Sequence, residues 1–377
     1  MKIVNSTFGE FADYVKKGKR KILFWGAGAI GKILIPYLCN QFCLGDFVEA
    51  YIDRNESKQG EMVDLFNRKV VIRSPEWLSE ENITNNMVVV ITNGDFVSSL
   101  EQLNKMEQLR DHLCFVAPVM QLAQECRPGN ITVSSEVAVI PKKIHYCWFS
   151  GNPIPDKFQS CIESWKTYCP DYEIIRWDES NFDVAKYRYT KEAYKAGKWA
   201  FIPDVVRLEV LYEYGGFYFD TDVEIIRNLE PLRYQHAFCG REEWGHVNFG
   251  GGSGCQRHAD MVGELLDFRK KERFFKEKGL LNTEASGYYE TIPLLKKGLH
   301  IENMTEIIGG MTIYASEYFC PYNYSSGTER ITENTFSIHY FNGGWLGTEG
   351  AASREKTREK FSEIVDSMGS ISLEGIN

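Results

Sequence analysis

The stretch from Trp199 to Glu224, WAFIPDVVRLEVLYEYGGFYFDTDVE, most constrains the fold, because a helical pattern there gives way at once to a strand pattern. Gly215-Gly216 ends the predicted helix, and the aromatic run 217–219 favours a β-strand. Asp220 and Asp222 follow at the carboxyl end of that strand. In open α/β sheets this is the edge where ligands bind. The stretch therefore predicts a ligand site beside the two acids.

Asp220 and Asp222 are separated by one residue, a spacing that suits a divalent cation. Side chains two apart on a strand share a face and lie roughly 6.6 Å apart along it, so both carboxylates can converge on one ion. Mg²⁺ and Mn²⁺ prefer oxygen ligands, and sites with one or two carboxylates complete their coordination with water and substrate phosphates. The pair predicts a metal-bound phosphate ester. The alternative is a solvated strand end, which is common in a chain with 52 acidic residues.

Asp204 and Arg207 lie three apart on the predicted helix and therefore on one of its faces. Pro203 suits the first helical position, which places Asp204 near the helix start. A surface ion pair is the alternative to a functional role for these two residues.

Four stretches, in order along the chain, resemble glycosyltransferase family 32, the D-x-D sugar-nucleotide group: IPKKIHYCWFSG, SWKTYCPDYEIIRWDESNF, KWAFIPDVVRLEVLYEYGGFYFDTDVE and ITENTFSIHYFNGGW. This group includes bacterial capsular polysaccharide enzymes, fungal mannosyltransferases and, more distantly, clostridial glucosylating toxins. The resemblance implies a GT-A type domain and a retaining hexosyltransferase. It further implies Mn²⁺ or Mg²⁺ as cofactor, UDP-galactose or UDP-glucose as donor, and a saccharide acceptor, namely a lipid-linked surface polysaccharide.

The resemblance also implies roles for individual residues. Trp148 is expected to stack on the base of the donor nucleotide, because a flat apolar ring is the natural partner of a base. Asp204 and Arg207 are expected to contact the transferred sugar and the diphosphate. Asp220 is expected to hold ribose or sugar hydroxyls, directly or through the ion, and Asp222 is expected to bind the metal directly. For Trp148, burial in the core is the alternative.

Two further residues, His339 and Trp345, enter by the same resemblance, and a third, Asn248, is a candidate from its own place in the sequence. His339 ends the strand-like FSIHYF and matches the family's H-x-x-x-x-S-W ending, with Gly344 in place of the serine. It is expected to be a second metal ligand or a donor to the β-phosphate, and Trp345 is expected in the donor site. Asn248, at the start of the glycine-rich NFGGGSG, is a candidate contact to the sugar or acceptor. A flexible loop is the alternative for that segment.

The N-terminal part has a different pattern. The strand-like KILFW runs into Gly26, Gly28 and Gly31, and a second strand ends at Asp53, which is the G-x-G-x-x-G arrangement of a Rossmann-like unit. We therefore predict an α/β protein with a doubly wound domain over 1–125, a linker over 126–139 and a GT-A type domain over 140–377.

The role of the N-terminal glycines stays open at this point. They can admit a pyrophosphate to a helix N-terminus while Asp53 accepts a hydrogen bond from a ribose hydroxyl, or they can form a tight turn without a ligand. The corresponding alternative function is a nucleotide-sugar-modifying or NAD-linked enzyme or sensor. A glycosidase is another alternative, since paired carboxylates also define glycoside hydrolysis. Trp148 and Arg207 favour a nucleotide donor instead.

Composition narrows the function classes. A net charge of −9 argues against nucleic acid as a partner. The ten cysteines occur without CxxC pairs, which favours buried thiols in a reducing compartment. No apolar run approaches the roughly 18 residues that cross a bilayer, and the N-terminus lacks the apolar centre of a signal peptide. We expect a cytoplasmic protein with at most peripheral contact at the inner face of the cell membrane.

Overall fold

The structure is a computed structural model that describes residues 1–79, 81–276, 280–344 and 346–370. The chain divides into two compact units. One comprises Met1–Glu125 together with the C-terminal segment from Thr348, and the other comprises Cys126–Gly347. The break after residue 125 lies where we predicted a domain boundary. The C-terminal segment differs from the prediction, which had placed it in the second domain.

The first unit is built on one sheet, which is parallel throughout except where its edge strand β4 runs antiparallel to β5. Numbered along the whole chain, its strands are β1 (Lys2–Asn5), β2 (Lys21–Trp25), β3 (Val48–Ile52), β4 (Met62–Asp64), β5 (Lys69–Arg73), β6 (Met87–Ile91), β7 (Leu113–Val116) and β17 (Gly369–Ser370). Their order is β17-β1-β7-β6-β2-β3-β5-β4. From β2 the chain winds outward through β3 to β5 and then restarts at β6, which confirms the predicted Rossmann-like, doubly wound arrangement.

The helices of this unit are α1 (Phe8–Gly18), α2 (Ile35–Gln41), α3 (Phe96–Leu103), α4 (Ala117–Leu122) and α10 (Gly347–Ser367), with a π-helical turn at Ile30–Leu34 before α2. Side chains of Phe361, Ile364, Val365 and Met368 pack against the core of the first unit. Phe361, Ile364 and Val365 recur at the three-and-four spacing of one helical face, so α10 has an apolar stripe, and Met368 continues it just beyond the helix end. Among the residues described, no helix combines the length and apolar character that a membrane crossing needs.

The second unit contains a mixed sheet in the order β14-β15-β12-β13-β10-β8-β9 and a two-stranded sheet of β11 and β16. These strands are β8 (Lys143–Cys147), β9 (Glu173–Trp177), β10 (Gly216–Tyr218), β11 (Val223–Ile225), β12 (Ala237–Arg241), β13 (Val247–Cys255), β14 (Glu306–Ile308), β15 (Met311–Tyr314) and β16 (Ser337–His339). The helices are α5 (Asp156–Tyr168), α6 (Arg188–Lys195), α7 (Pro203–Tyr214), α8 (Asp260–Arg269) and α9 (Ser286–Lys296). The predicted α/β class is confirmed for both units.

The short strand β10 is the element that positions the site. It pairs in parallel with β8 and antiparallel with β13, so it lies in the interior of the mixed sheet. Phe217 and Phe219 on this segment are fully buried in an aromatic core that includes Trp165 and Phe238. Burying large aromatic side chains is strongly favourable, and it fixes the point at which the chain leaves the sheet.

The predicted linker over 126–139 is part of the second unit. The backbone N–H of Thr132 donates to the hydroxyl oxygen of Tyr314 at 3.0 Å, and that of Ser134 donates to the carbonyl of Tyr234 at 2.9 Å. These hydrogen bonds tie the polar, proline- and glycine-containing segment to the surface of this unit. These hydrogen bonds are donated by backbone N–H groups, which any residue can supply. The side chain composition of the segment can therefore be that of a flexible linker although the segment is held in place.

Candidate active site

Asp220 and Asp222 lie in a turn between β10 and β11, rather than on one face of a single strand as predicted. The backbone N–H of Val223 donates to the carbonyl of Asp220 at 3.1 Å and closes the turn. The backbone N–H of Asp220 donates to the carbonyl of Gly250 at 2.8 Å. The turn arises because β11 leaves the mixed sheet and pairs with β16 instead.

His339 lies beside the two acids because of that second pairing. In the β11–β16 ladder, Val223 is opposite His339, so the histidine is next to Asp222. The distance from His339 Nε2 to Asp222 Oδ1 is 3.3 Å. Asp220, Asp222 and His339 each offer one ligand atom, and these atoms all lie within 4.8 Å of one another. Two carboxylates and an imidazole form a donor set that fits Mn²⁺ or a similar divalent cation.

The Asp222–His339 pair has perturbed acid–base properties. Burial alone would raise the pKa of Asp222, but His339 and the backbone N–H of Asn342, which donates at 2.8 Å, lower it to about 2. Burial alone would lower the pKa of His339, but the Asp222 carboxylate raises it. A metal ion needs His339 in its neutral form, so a proton and a cation compete for this site.

Arg207 joins α7 to the acidic turn. Pro203 occupies the first helical position as predicted, and Asp204 follows in the first turn. Arg207 Nη2 is 3.5 Å from Asp204 Oδ1 and 3.4 Å from Asp220 Oδ1. Both Asp204 and Arg207 are only 5% exposed, so the alternative of a surface ion pair is wrong.

The charge of Arg207 is held by its surroundings. Burial would lower the pKa of the guanidinium, but the carboxylates of Asp220 and Asp204 raise it, so Arg207 is cationic at any physiological pH. The hydroxyl of Tyr218 donates to Asp220 Oδ1 at 3.0 Å and fixes the carboxylate from the strand side. A buried cation next to the proposed metal ligands suits an oxygen-rich anion, because its planar fork binds phosphate bidentately.

Strand β13 contributes Gly250 to the site. A Cβ atom at this position would overlap Asp220 Oδ2 and lie 3.0 Å from Arg207 Nη1. Only glycine therefore leaves room for the Arg207–Asp220 pair over this strand. The glycine-rich NFGGGSG belongs to a strand paired on both sides, and the alternative of a flexible loop is wrong.

Asn248, on the same strand, is not one of the three candidate metal ligands. Its Nδ2 donates to Glu242 Oε1 at 2.7 Å, and its Oδ1 accepts from the backbone N–H of Gly251 at 2.7 Å. The side chain amide is thus engaged at both ends within the protein. A contact between Asn248 and a sugar or an acceptor stays a prediction.

Trp148 lies one residue beyond β8 and is partly buried against the aromatic core. Its Nε1 donates to the carbonyl of Asn152 at 2.7 Å, and the ring of Phe158 packs edge-on at 5.8 Å. Stacking on a donor base stays a prediction for this residue. Trp345, the other predicted aromatic contact, lies outside the described residues.

His145 has a structural role in the second unit. Trp177 Nε1 donates to its Nδ1 at 3.1 Å, and its Nε2 is 2.8 Å from the carbonyl of Gly215, to which it donates. Burial lowers the pKa of His145 to about 4, so the ring is neutral. The histidine joins β8 to the glycine turn that ends α7.

In the first unit, the predicted nucleotide site has its acid engaged by the protein. Asp53 Oδ2 accepts from the backbone N–H of Ala27 at 2.7 Å, and Oδ1 accepts from that of Asn55 at 2.8 Å. A Cβ atom on Gly31 would overlap the carbonyl of Gly26, whereas Gly28 has open space around its Cα. These contacts give Asp53 and Gly31 a part in building the turn. Ligand binding there stays a prediction.

Sequence reasoning missed a buried group behind Asp204. Arg269 Nη2 is 3.3 Å from Asp204 Oδ2, and the hydroxyl of Tyr189 donates to the same oxygen at 3.2 Å. The guanidinium lies over the rings of Tyr189 and Tyr289, at 4.8 and 4.7 Å from their centres. Glu290 is electrostatically coupled to the same cluster and is fully buried. The available signal was an arginine and a glutamate at core positions of α8 and α9.

Comparison with known proteins agrees with this geometry. The family described as "Glycosyltransferase sugar-binding region containing DXD motif" matches residues 155–239, which include Asp204, Arg207, Asp220 and Asp222. Residues 155–239 are thus similar to the DXD region of glycosyltransferases. His339, Trp148 and Asn248 lie outside the matched segment.

Among similar proteins, inositol phosphoceramide mannosyltransferase 3 of Schizosaccharomyces pombe is 38% identical over 112 residues, which are 29% of this chain and 31% of the relative. Mannosyl phosphorylinositol ceramide synthase CSH1 of Saccharomyces cerevisiae is 31% identical over 108 residues, covering 26% of this chain and 27% of the relative. The chain thus spans about a third or less of the length of each of these relatives.

Two solved structures are also similar. The PaToxG glycosyltransferase is 14% identical with a TM-score of 0.34, covering 54% of this chain and 78% of that one. The galactosyltransferase LgtC, in complex with donor and acceptor sugar analogues, is 15% identical with a TM-score of 0.30, covering 62% of this chain and 98% of that one.

Proposed function

We propose that this chain is a metal-dependent, retaining glycosyltransferase that moves a hexose from a nucleotide-diphospho sugar to a saccharide acceptor. The observation that carries the proposal is the convergence of Asp220, Asp222 and His339 within 4.8 Å, from a turn and a neighbouring strand. Arg207 lies 3.4 Å from Asp220 and adds a buried positive charge. A cation site beside a buried arginine suits a diphosphate better than a neutral glycoside, which argues against the glycosidase alternative.

Each residue has a part in the proposed reaction. Asp220, Asp222 and His339 would hold the divalent cation, which supplies positive charge to the departing diphosphate when it is bound. Arg207 is placed to bind diphosphate or sugar oxygens with its planar fork. Asp204 and the Tyr218 hydroxyl hold Arg207 and Asp220 in position. Retention of configuration rests on the family resemblance.

The donor and acceptor are proposed more broadly. UDP-galactose and UDP-glucose follow from the resemblance. A mannose donor is added because one fungal relative is named a mannosyltransferase and the other a mannosyl phosphorylinositol ceramide synthase. Those names also state a ceramide acceptor, which supports a lipid-linked acceptor for this chain. We propose a growing capsular or other surface polysaccharide, met on the cytoplasmic side of the cell membrane.

Donor hydrolysis tests the proposal without an acceptor. The full chain is incubated with UDP-galactose, UDP-glucose and GDP-mannose in the presence of Mn²⁺, and released nucleotide is measured. We expect turnover of at least one donor, its loss on addition of EDTA, and its return with excess Mn²⁺. Activity that persists in chelator contradicts the metal assignment, and no turnover or binding with any donor contradicts the proposed function. NMR of the released sugar, recorded before it mutarotates, tests retention.

A further inference from the structure

Glu290 on α9 is a carboxylate that the described residues leave without hydrogen bonds. Its side chain is fully buried, and neither Oε1 nor Oε2 has a partner. Burying a carboxylate without hydrogen bonds or a close counter-ion is costly, and the great majority of buried polar groups in proteins are satisfied. Two spare acceptors on one buried side chain point to a ligand that brings hydrogen-bond donors.

The surroundings of Glu290 connect it to the candidate active site. Burial raises the pKa of Glu290 to about 7, the positive charges of Arg207 and Arg269 oppose that rise, and Asp204 and Asp220 add to it. These four residues are the ones linked by the ion pairs Arg207–Asp220, Arg207–Asp204 and Arg269–Asp204. The backbone N–H of Val247 on β13 donates to the hydroxyl of Thr291, the residue after Glu290, at 2.9 Å. Strand β13 also brings Gly250 against Asp220 and Arg207, so α9 packs on the strand that contributes to the site.

Arg269 carries the complementary spare groups. Its Nη2 is paired with Asp204 Oδ2 at 3.3 Å, whereas its Nε and Nη1 are buried without a hydrogen-bond partner. The rings of Tyr189 and Tyr289 pack against the guanidinium, and among the described residues neither ring nor any other group accepts a hydrogen bond from Nε or Nη1. The cluster thus offers two spare acceptors on Glu290 and two spare donor atoms on Arg269.

A ligand group that satisfies both must donate to a carboxylate and accept from a guanidinium. A hydroxyl does both, whereas a phosphate only accepts and would be repelled by Glu290. We propose that Glu290, with Arg269, binds a hydroxyl group of the transferred sugar and thereby determines which sugar nucleotide is accepted. The inference rests on the proposed glycosyltransferase function and names the part of the site that recognises the hexose.

Donor binding provides the access that this contact needs. Arg207 and Asp220 are paired at 3.4 Å beside the buried cluster. A divalent cation would compete with Arg207 for Asp220, and a diphosphate would compete with Asp220 for Arg207, so donor binding would weaken this pair. Movement of the Arg207 side chain would then give a pyranose access to the buried Glu290 carboxylate.

The competing explanation is that Glu290 only balances the two buried arginines within the core. The two explanations differ in what the isosteric, neutral variant Glu290→Gln does. A core counter-charge affects the fold and all ligands alike. A hydroxyl-binding carboxylate affects the sugar nucleotide and leaves the nucleoside diphosphate unchanged, because a site built to hydrogen-bond a hydroxyl discriminates through that contact.

The test is calorimetric binding to the full chain with Mn²⁺ present. UDP is compared with UDP-glucose and UDP-galactose, and GDP with GDP-mannose, for the wild type, Glu290→Gln and Asp267→Asn. The last is the matched control, because it removes one negative charge from an exposed position on α8. We expect Glu290→Gln to bind the nucleoside diphosphate within about twofold of the wild type and the preferred sugar nucleotide about tenfold or more weakly. Asp267→Asn should match the wild type for both.

Equal effects of Glu290→Gln on nucleotide and sugar nucleotide, or no effect on either, overturn the inference while leaving the proposed function intact. A wild type that binds none of the sugar nucleotides overturns both. If Glu290→Gln does not fold, a crystal structure of the wild type with Mn²⁺ and its preferred sugar nucleotide decides the question. A sugar hydroxyl within hydrogen-bond distance of the Glu290 carboxylate supports the inference, and a hexose bound elsewhere, or separated from Glu290 by water only, overturns it.

Discussion

Each unit of this protein places an acid directly after a strand, and the two acids have different partners. Asp53 follows β3 of the Rossmann-like unit, and its carboxylate is occupied by the backbone N–H groups of Ala27 and Asn55. Asp220 follows β10 of the second unit. It pairs with the charged side chain of Arg207 and lies beside the Asp222–His339 pair. The position of an acid at a strand end is therefore less informative than the nature of the groups around it.

The surroundings of Asp53 and Asp220 also differ in how many buried polar atoms have no hydrogen-bond partner. Around Asp53 the acceptors are used to build the glycine turn itself. Around Asp220 the described residues leave His339 Nδ1, both oxygens of Glu290 and two nitrogens of Arg269 buried without hydrogen-bond partners. Buried polar groups of this kind are stabilised when a ligand supplies the missing partners. The unpartnered groups near Asp220 therefore suit a polar ligand. The carboxylate of Asp53, in contrast, already accepts hydrogen bonds from the backbone of its own turn.

The largest expected effect is that of Asp222→Asn. The amide loses the charge that binds a cation and the charge that holds His339, so we expect donor turnover to fall by about a thousandfold or more, as for loss of a main electrostatic contact in a catalytic site. The measurement is nucleotide release with Mn²⁺, together with a thermal unfolding curve. Asp171→Asn, which removes an exposed carboxylate paired with Lys142, is the control and should leave turnover unchanged. Full activity in Asp222→Asn would reject this residue as a metal ligand.

A smaller effect is expected from Gly250→Ala. The added Cβ overlaps Asp220 Oδ2, so the carboxylate has to leave its place beside Arg207. We expect a ten- to hundredfold loss of turnover, about 1.4 to 2.8 kcal/mol in transition-state stabilisation. Gly28→Ala in the first unit is the control, because that position has open space around it and no strained backbone. The comparison breaks if Gly28→Ala reduces turnover as much as Gly250→Ala.

Acid should destabilise the second unit through His145. Its pKa in the folded chain is about 4, below the unfolded value near 6.5, so the unfolded chain binds the extra proton first and stability falls as pH drops from 6.5 toward 4. Between pH 7 and pH 5 this corresponds to about 2 kcal/mol. Urea unfolding followed by tryptophan fluorescence at both pH values measures it. His145→Gln should show a smaller acid-induced loss than the wild type, and an equal loss in both proteins would contradict the assignment.

The elements that sequence predicted well are those with a local signature. The apolar runs of β2, β3 and β6 and the aromatic run into Asp220 are determined by neighbouring residues, and Pro203 marks the start of α7 by its own geometry. The structure also brings together the three predicted metal ligands, Asp220, Asp222 and His339, which carry a motif. The family resemblance, rather than residue spacing, joined His339 to acids more than a hundred positions away.

The elements that sequence did not predict depend on long-range pairing. The turn at Asp220–Asp222 forms because β11 pairs with β16 rather than with the mixed sheet. The stretch from Val247 is a strand because β10 and β12 pair with it. Helix α10 carries an apolar stripe that packs against the first unit. The prediction had placed it in the second domain because it follows that domain along the chain. Arg269 and Glu290 are buried charged residues of α8 and α9, and only the folded structure shows that Arg269 pairs with Asp204 and that Glu290 is buried without a hydrogen-bond partner among the described residues.

The smallest effect is expected from Asp53→Asn, which sharpens the comparison from the other side. The amide keeps one acceptor oxygen and loses the second, so one of the two backbone hydrogen bonds is broken at a cost of about 1 kcal/mol. Hydrogen exchange in the peptide containing Gly26–Gly31 should become faster, which measures the loosened turn. Donor turnover should stay within about twofold of the wild type, as expected for a substitution remote from the reaction. Because the acid is engaged by the turn itself, weaker protection with intact turnover places its role in the stability of the first unit. A tenfold loss of turnover in Asp53→Asn would instead assign the glycine turn a part in the reaction, and the contrast between a closed turn and an open charge cluster would no longer hold.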